Sequence, residues 1–204
     1  MPALGDLDAM RRQAILASAA GYPFLAVYAV AWIAAAVLSY FVPSDVAPWI
    51  YLLGGVPAAP VAMALERRLG YVPAAAPDPL LPLTLQILFV QIVAFPAVML
   101  VWSLAPAYTP VAFAAVVGAH FLPFQWVYRT RLYGVLGVAV AGGSYLVAAV
   151  FGQRAIHYTG FFVGAVLLAG AAVARAHARA TWLRGAGDST RSKSATTAAP
   201  DGPP

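Results

Sequence analysis

The chain has no cysteine and very little charge. The missing thiols remove disulfides, thiolate catalysis and cysteine-based zinc or iron–sulfur sites. Only 9% of the 204 residues are charged, where soluble domains carry about 25%. With 62% hydrophobic residues and a mean hydropathy of +0.80, a single soluble core is excluded. Acids are the scarcest charges, and none lies within an apolar run: Asp45 and Glu66 stand at the ends of runs. HExxH, paired carboxylates and Ser-x-x-Lys are also missing from these runs, so no reaction is named and no enzyme is expected. Lysine is nearly absent beside arginine, a weak mark of a GC-rich bacterial genome.

What the chain does have is six apolar runs, each of about 20 residues and so able to cross a hydrocarbon core of ~30 Å. They predict an all-α integral membrane protein with spans at 22–42, 47–65, 82–104, 109–128, 132–151 and 157–177. Residues 1–20 read as an amphipathic N-terminal segment. Its short interfacial helix has Asp6 as cap, Asp8 in the first turn, and Leu4, Leu7 and Met10 at helical spacing. The six-span domain covers residues 21–183. Residues 184–204, small, polar and proline-ended, read as a disordered cytoplasmic tail.

Cations fill alternate gaps. Arg11 and Arg12, Arg67 and Arg68, Arg129 and Arg131, and the group Arg175, Arg179, Arg184, Arg191 and Lys193 all fall on one side; Arg154 alone falls on the other. Positive residues stay on the cytoplasmic face, which puts both termini there and the protein in the cell (inner or plasma) membrane. Trp49, Trp102, Trp126 and Tyr128 mark the interfaces. The net charge of +5 sits in gaps where lipid phosphates meet it, so the expected partner is membrane lipid and not nucleic acid. A cleaved signal peptide is not expected, because too few residues separate Arg12 from Ala17-Ser18-Ala19 to form an apolar core.

Polarity within the runs gathers in spans 3 and 4. Gln91 and His120 lie at matching depths, roughly 12 to 13 Å in at 1.5 Å per residue. Gln86 and Gln125 form a second matching layer. Pro96 frees the carbonyl of Ile92, and Pro123 that of Ala119. This layer suits a small polar solute, a cation or a proton, with His120 as titrating group and Gln91 as orienting partner. The five-residue separation within each pair turns the two side chains ~140° apart on a regular helix, which counts against one shared site. Span 2 carries Gly54, Gly55, Pro57 and Pro60 near its centre, and span 5 carries Gly142 and Gly143. Interrupted segments at corresponding positions of two halves point to a flexible element in a carrier. Gly160 and Gly164 form a GxxxG pattern for close helix contact, within the bundle or in a homo-oligomer. His157 and His177 bracket span 6, ~30 Å apart, so no metal site follows from them, and no cofactor is implied.

The stretch Gly118-Ala119-His120-Phe121-Leu122-Pro123-Phe124-Gln125-Trp126-Val127-Tyr128 resembles a motif of an uncharacterised family of small bacterial multi-pass membrane proteins. Gln91 with Phe95-Pro96, Arg12-Gln13-Ala14-Ile15-Leu16 and Gly21-Tyr22-Pro23-Phe24 fit the same pattern, so the resemblance covers residues 11–155. It implies a membrane location and a role for His120, Pro123 and Trp126. It supplies no activity. Two function classes therefore stand: a carrier or binder of a small solute or proton, and a non-catalytic structural or assembly subunit in which the polar residues join helices.

Overall fold

A computed structural model of the chain describes residues 4–69 and 80–197, with side chains for 7–69 and 80–184. The described residues form helices α1 (Leu4–Ala17), α2 (Tyr22–Leu38), α3 (Ala47–Leu69), α4 (Leu81–Leu104), α5 (Thr109–Val127), α6 (Leu132–Phe151) and α7 (Ala155–Thr197), and no strand. Proline starts several of them: Pro23, Pro82 and Pro110 sit in first turns, where the missing N–H costs no helix bond. The connections are single turns. Pro106–Tyr108 links α4 to α5, and Gly152, at φ +54°, turns α6 into α7. The proline-rich stretch with Pro73, Pro77 and Pro79 lies outside the described residues, as do the side chains of Leu4 and Asp6.

Five helical stretches are long and apolar enough to cross a membrane, and the last, Leu132–Arg184, folds back at Gly152 into α6 and α7. Neighbouring helices run antiparallel. Between α6 and α7, Gly143 faces Phe162 and Gly170 faces Leu136; between α5 and α6, Gly118 faces Ala141 and Gln125 faces Gly134. Between α2 and α3, Tyr28 reaches Gly55 and Trp32 meets Tyr51. The alternation brings Arg11, Arg67, Arg68, Arg129 and Arg175 to one end of the bundle and leaves Arg154 at the other.

The central pair is α2 with α7. Ala29 and Ala36 are fully buried, and Gly160 and Gly164 pack on them. A methyl group at Gly160 would lie 2.5 Å from the Trp32 carbonyl oxygen and 2.8 Å from the Ala36 side chain. The GxxxG edge is thus occupied inside the bundle. From this pair the helices continue in two arms: α3 packs on α2, while α6 packs on α7, α5 on α6 and α4 on α5. The arms end in α3 and α4, which follow each other in the chain yet do not pack closely. At one end the Trp49 and Trp102 rings meet edge-on at 4.9 Å.

Exposure inverts the pattern of a soluble protein. The most apolar helix, α4, is also the least buried, with Phe89, Ile92 and Val93 facing outward. An apolar surface of that extent needs hydrocarbon around it.

Two expectations are corrected by the backbone. Residues 185–197, expected in an unstructured tail, continue α7; no proline interrupts the helix before Pro200. Residues 198–204 lie outside the described part. Gly54 to Pro60 does not interrupt its span either. α3 is one continuous helix through both prolines, as α6 is through Gly142 and Gly143. Each proline deletes one ladder bond, and the flanking turns hold the helix across it.

Candidate functional site

Between the two arms lies a cavity of about 250 Å³. An engineered cavity of about 150 Å³ already holds benzene, so a bicyclic molecule is within its capacity. Its walls come from α2, α3, α4, α5 and α7. Phe24, Tyr28 and Trp32, one helical turn apart on α2, make an aromatic stripe down one side. Trp32 is fixed between two neighbours, stacked on Phe113 and tilted to Tyr51, both at 5.5 Å between centroids. Gly54 and Gly55 belong to the α3 wall, with Tyr51, Ala59 and Met63. A methyl group at Gly54 would meet nothing within 4 Å, so the glycines leave room there.

Gln91 and His120 both line this cavity, facing in from α4 and α5. The His120 Nδ1 lies 2.8 Å from the Val117 carbonyl oxygen of its own helix. A carbonyl only accepts, so Nδ1 carries the proton, and in the neutral ring Nε2 is left as an acceptor. The ring also rests edge-on against Phe124 at 5.5 Å. No hydrogen bond joins His120 or Gln91 to another helix among the described residues. The Tyr28 hydroxyl donates to the Gly55 carbonyl at 3.3 Å, and the Tyr51 hydroxyl to the Ile156 carbonyl at 2.6 Å. No lining residue carries a formal charge other than what His120 can take up.

The second polar layer does not form. Gln86 is exposed, and Gln125 lies on the α6 side of α5, against Gly134. The ~140° turn between residues five apart separates them from the first pair. Pro96 and Pro123 are exposed as well, and neither Ile92 nor Ala119 lines the cavity, so the freed carbonyls add nothing to it. Of the glycines and prolines expected as flexible elements, Gly54 and Gly55 line the cavity, while Pro57, Pro60, Pro96 and Pro123 do not. The sequence reading missed Phe24, Tyr28, Trp32 and Phe113. The i, i+4, i+8 spacing of the first three was the available signal.

Two other polar clusters sit at the ends of the bundle. At the Arg154 end, the His157 Nδ1 lies 2.8 Å from the Ser39 hydroxyl, whose own proton goes to the Ala36 carbonyl at 2.7 Å. His157 therefore donates to Ser39. This is the reverse of nucleophile activation, and Ser39 is buried. At the basic end, α1 folds against the bundle. Ala14 and Ile15 are buried, the Arg11 guanidinium lies 3.9 Å from the Trp126 ring centroid, and Asp8 pairs with Arg129 at 2.9 Å. The Ser18 hydroxyl approaches that of Tyr128 at 3.1 Å, and His177 Nε2 donates to the Tyr128 carbonyl at 3.1 Å. The two motif stretches, near Gly21 and near Tyr128, thus meet in space. Among the described residues, no three metal-ligating side chains gather.

A family sequence profile matches residues 7–176. The chain belongs to DUF7010, a family of unknown function. No curated protein and no solved structure matches it.

Proposed function

We propose that this member of the family is a multi-pass protein of the cell membrane that binds a small solute in the cavity between its two helix arms. His120 and Gln91 are its polar anchors, and the aromatic stripe of α2 is its apolar wall. The basic end of the bundle supports a reading of six spans with α1 and the end of α7 on the cytoplasmic face. A carrier extends this reading, with α3 as the moving wall: Pro57 and Pro60 leave it short of ladder bonds at the level of the cavity.

The observation that carries the reading is how His120 and Gln91 are bonded. Residues that join helices in a membrane hydrogen-bond across to a neighbour. The one hydrogen bond of His120 among the described residues stays within α5, and its free edge lines a cavity. That supports a binding role over an assembly subunit.

Ligand-linked stability tests it. A compound that binds only the folded form stabilises it by about 2.7 kcal/mol at a hundredfold excess over Kd. Purified protein in detergent is melted against a panel of neutral aromatics, alcohols, amides, alkali cations and pH values. At least one neutral compound is expected to raise the melting temperature of the wild type but not of folded His120→Ala or Gly55→Leu. If no compound acts, and His120→Ala simply melts lower throughout, the protein is a structural subunit.

A further inference from the structure

The cavity has a mouth, and its position says what enters. Most lining residues are buried or half-buried, but Met63 of α3 and Leu88 of α4 line the cavity while staying 47% and 40% exposed. They stand on the two free edges of the helix arms, where α3 and α4 do not pack closely. The mouth therefore opens sideways through the wall of the bundle. Exposed apolar residues flank it on both edges, Val56 on α3 and Leu85 on α4, with Arg67 one turn beyond Met63 at the basic end. A sideways opening with such a rim faces hydrocarbon, where a charged or strongly hydrated solute is scarce.

The interior sets the second requirement. His120 offers Nε2 as an acceptor that no described group satisfies, and Gln91 offers both a donor and an acceptor. A hydroxyl answers both, donating its proton to the imidazole and accepting from the carboxamide. Nothing on the wall pairs with a charge of either sign. Resting on the binding role proposed above, we infer that the cavity takes neutral, membrane-dissolved molecules with a flat apolar body and one hydroxyl or N–H donor, admitted from the bilayer between α3 and α4.

Three probes separate these requirements: 2-naphthol, its methyl ether 2-methoxynaphthalene, and 2-naphthalenesulfonate. Each is titrated against the full chain in lipid nanodiscs, with melting temperature as readout. The naphthol is expected to bind about tenfold more tightly than the ether, the worth of one buried hydrogen bond. The sulfonate is expected to have no effect. In His120→Leu the naphthol-to-ether ratio should fall to near one, a comparison that does not depend on the variant's own stability. Equal binding of naphthol and ether overturns donor recognition, and so does a ratio that His120→Leu leaves unchanged. Binding of the sulfonate overturns the neutral class. Failure of all three naphthyl probes overturns the inferred class, while the binding role stands or falls separately on the broader panel.

The route is read by kinetics. Met63→Phe together with Leu88→Phe places bulkier side chains at the two residues that stand at the mouth. The association rate of naphthol, followed by Trp fluorescence, is expected to fall about tenfold or more. An unchanged rate in a variant that melts normally overturns lateral admission.

Discussion

The Tyr133 hydroxyl donates to the Ala20 carbonyl at 2.5 Å, tying the first turn of α6 to a left-handed bend that precedes α2. Ala19, Ala20 and Gly21 have φ values of +50°, +52° and +74°, and the two alanines would not hold that conformation unaided. Removing the hydroxyl with Tyr133→Phe leaves a buried carbonyl unpaired and is expected to cost about 1–3 kcal/mol of stability. Gly21→Ala is expected to cost more. It adds backbone strain, and its methyl group would lie 2.6 Å from the Tyr133 oxygen. The double variant should lose less than the sum of the two, since the phenylalanine removes the clash. Denaturant titration in detergent micelles reads all three; strict additivity would mean the bend does not depend on Tyr133.

The glycines of α7 and α6 make a matched comparison. Gly160→Leu and Gly164→Leu push a side chain into the backbone of α2 and are expected to abolish the monodisperse folded protein on size exclusion. Gly142→Leu, where a methyl group would meet nothing within 4 Å, should purify like the wild type. If Gly160→Leu altered only oligomeric state, the α2–α7 contact would not be the centre of the bundle.

Thr109, Ser144 and Thr159 are fully buried, and their hydroxyls have no partner among the described residues. An unpaired buried hydroxyl costs free energy that an apolar group of the same shape does not. Thr159→Val and Ser144→Ala are therefore expected to raise stability by about 1 kcal/mol each. A loss of similar size in thermal melting would mean that each hydroxyl is satisfied in the membrane.

The helices themselves were legible because a spanning helix announces itself by length and apolarity, independently of its neighbours. Residues 132–151 and 109–127 needed nothing else. What joins them was not legible, because it depends on which face of each helix turns inward. His120 and Gln91 share a depth, and depth follows from counting residues at constant rise. Gln125 also has a depth partner in Gln86, yet it turns toward Gly134, and rotation about the axis leaves no mark in a uniformly apolar run. The prolines misled for a related reason. Counting residues places a freed carbonyl along the helix but not around it, and Pro96 and Pro123 lie on exposed faces. Trp32 and Phe113 escaped notice because aromatic residues in apolar runs look like ordinary packing until a void is seen beside them.

The pairing of α2 with α7 also has a consequence in time. α2 is made well before its main partner α7, so its small-residue face must wait, unmatched, while the four intervening helices are laid down. The Ala20 bend waits too, since Tyr133 is made more than a hundred residues later. A chain halted before α7 holds every wall of the cavity except the one that closes the bundle.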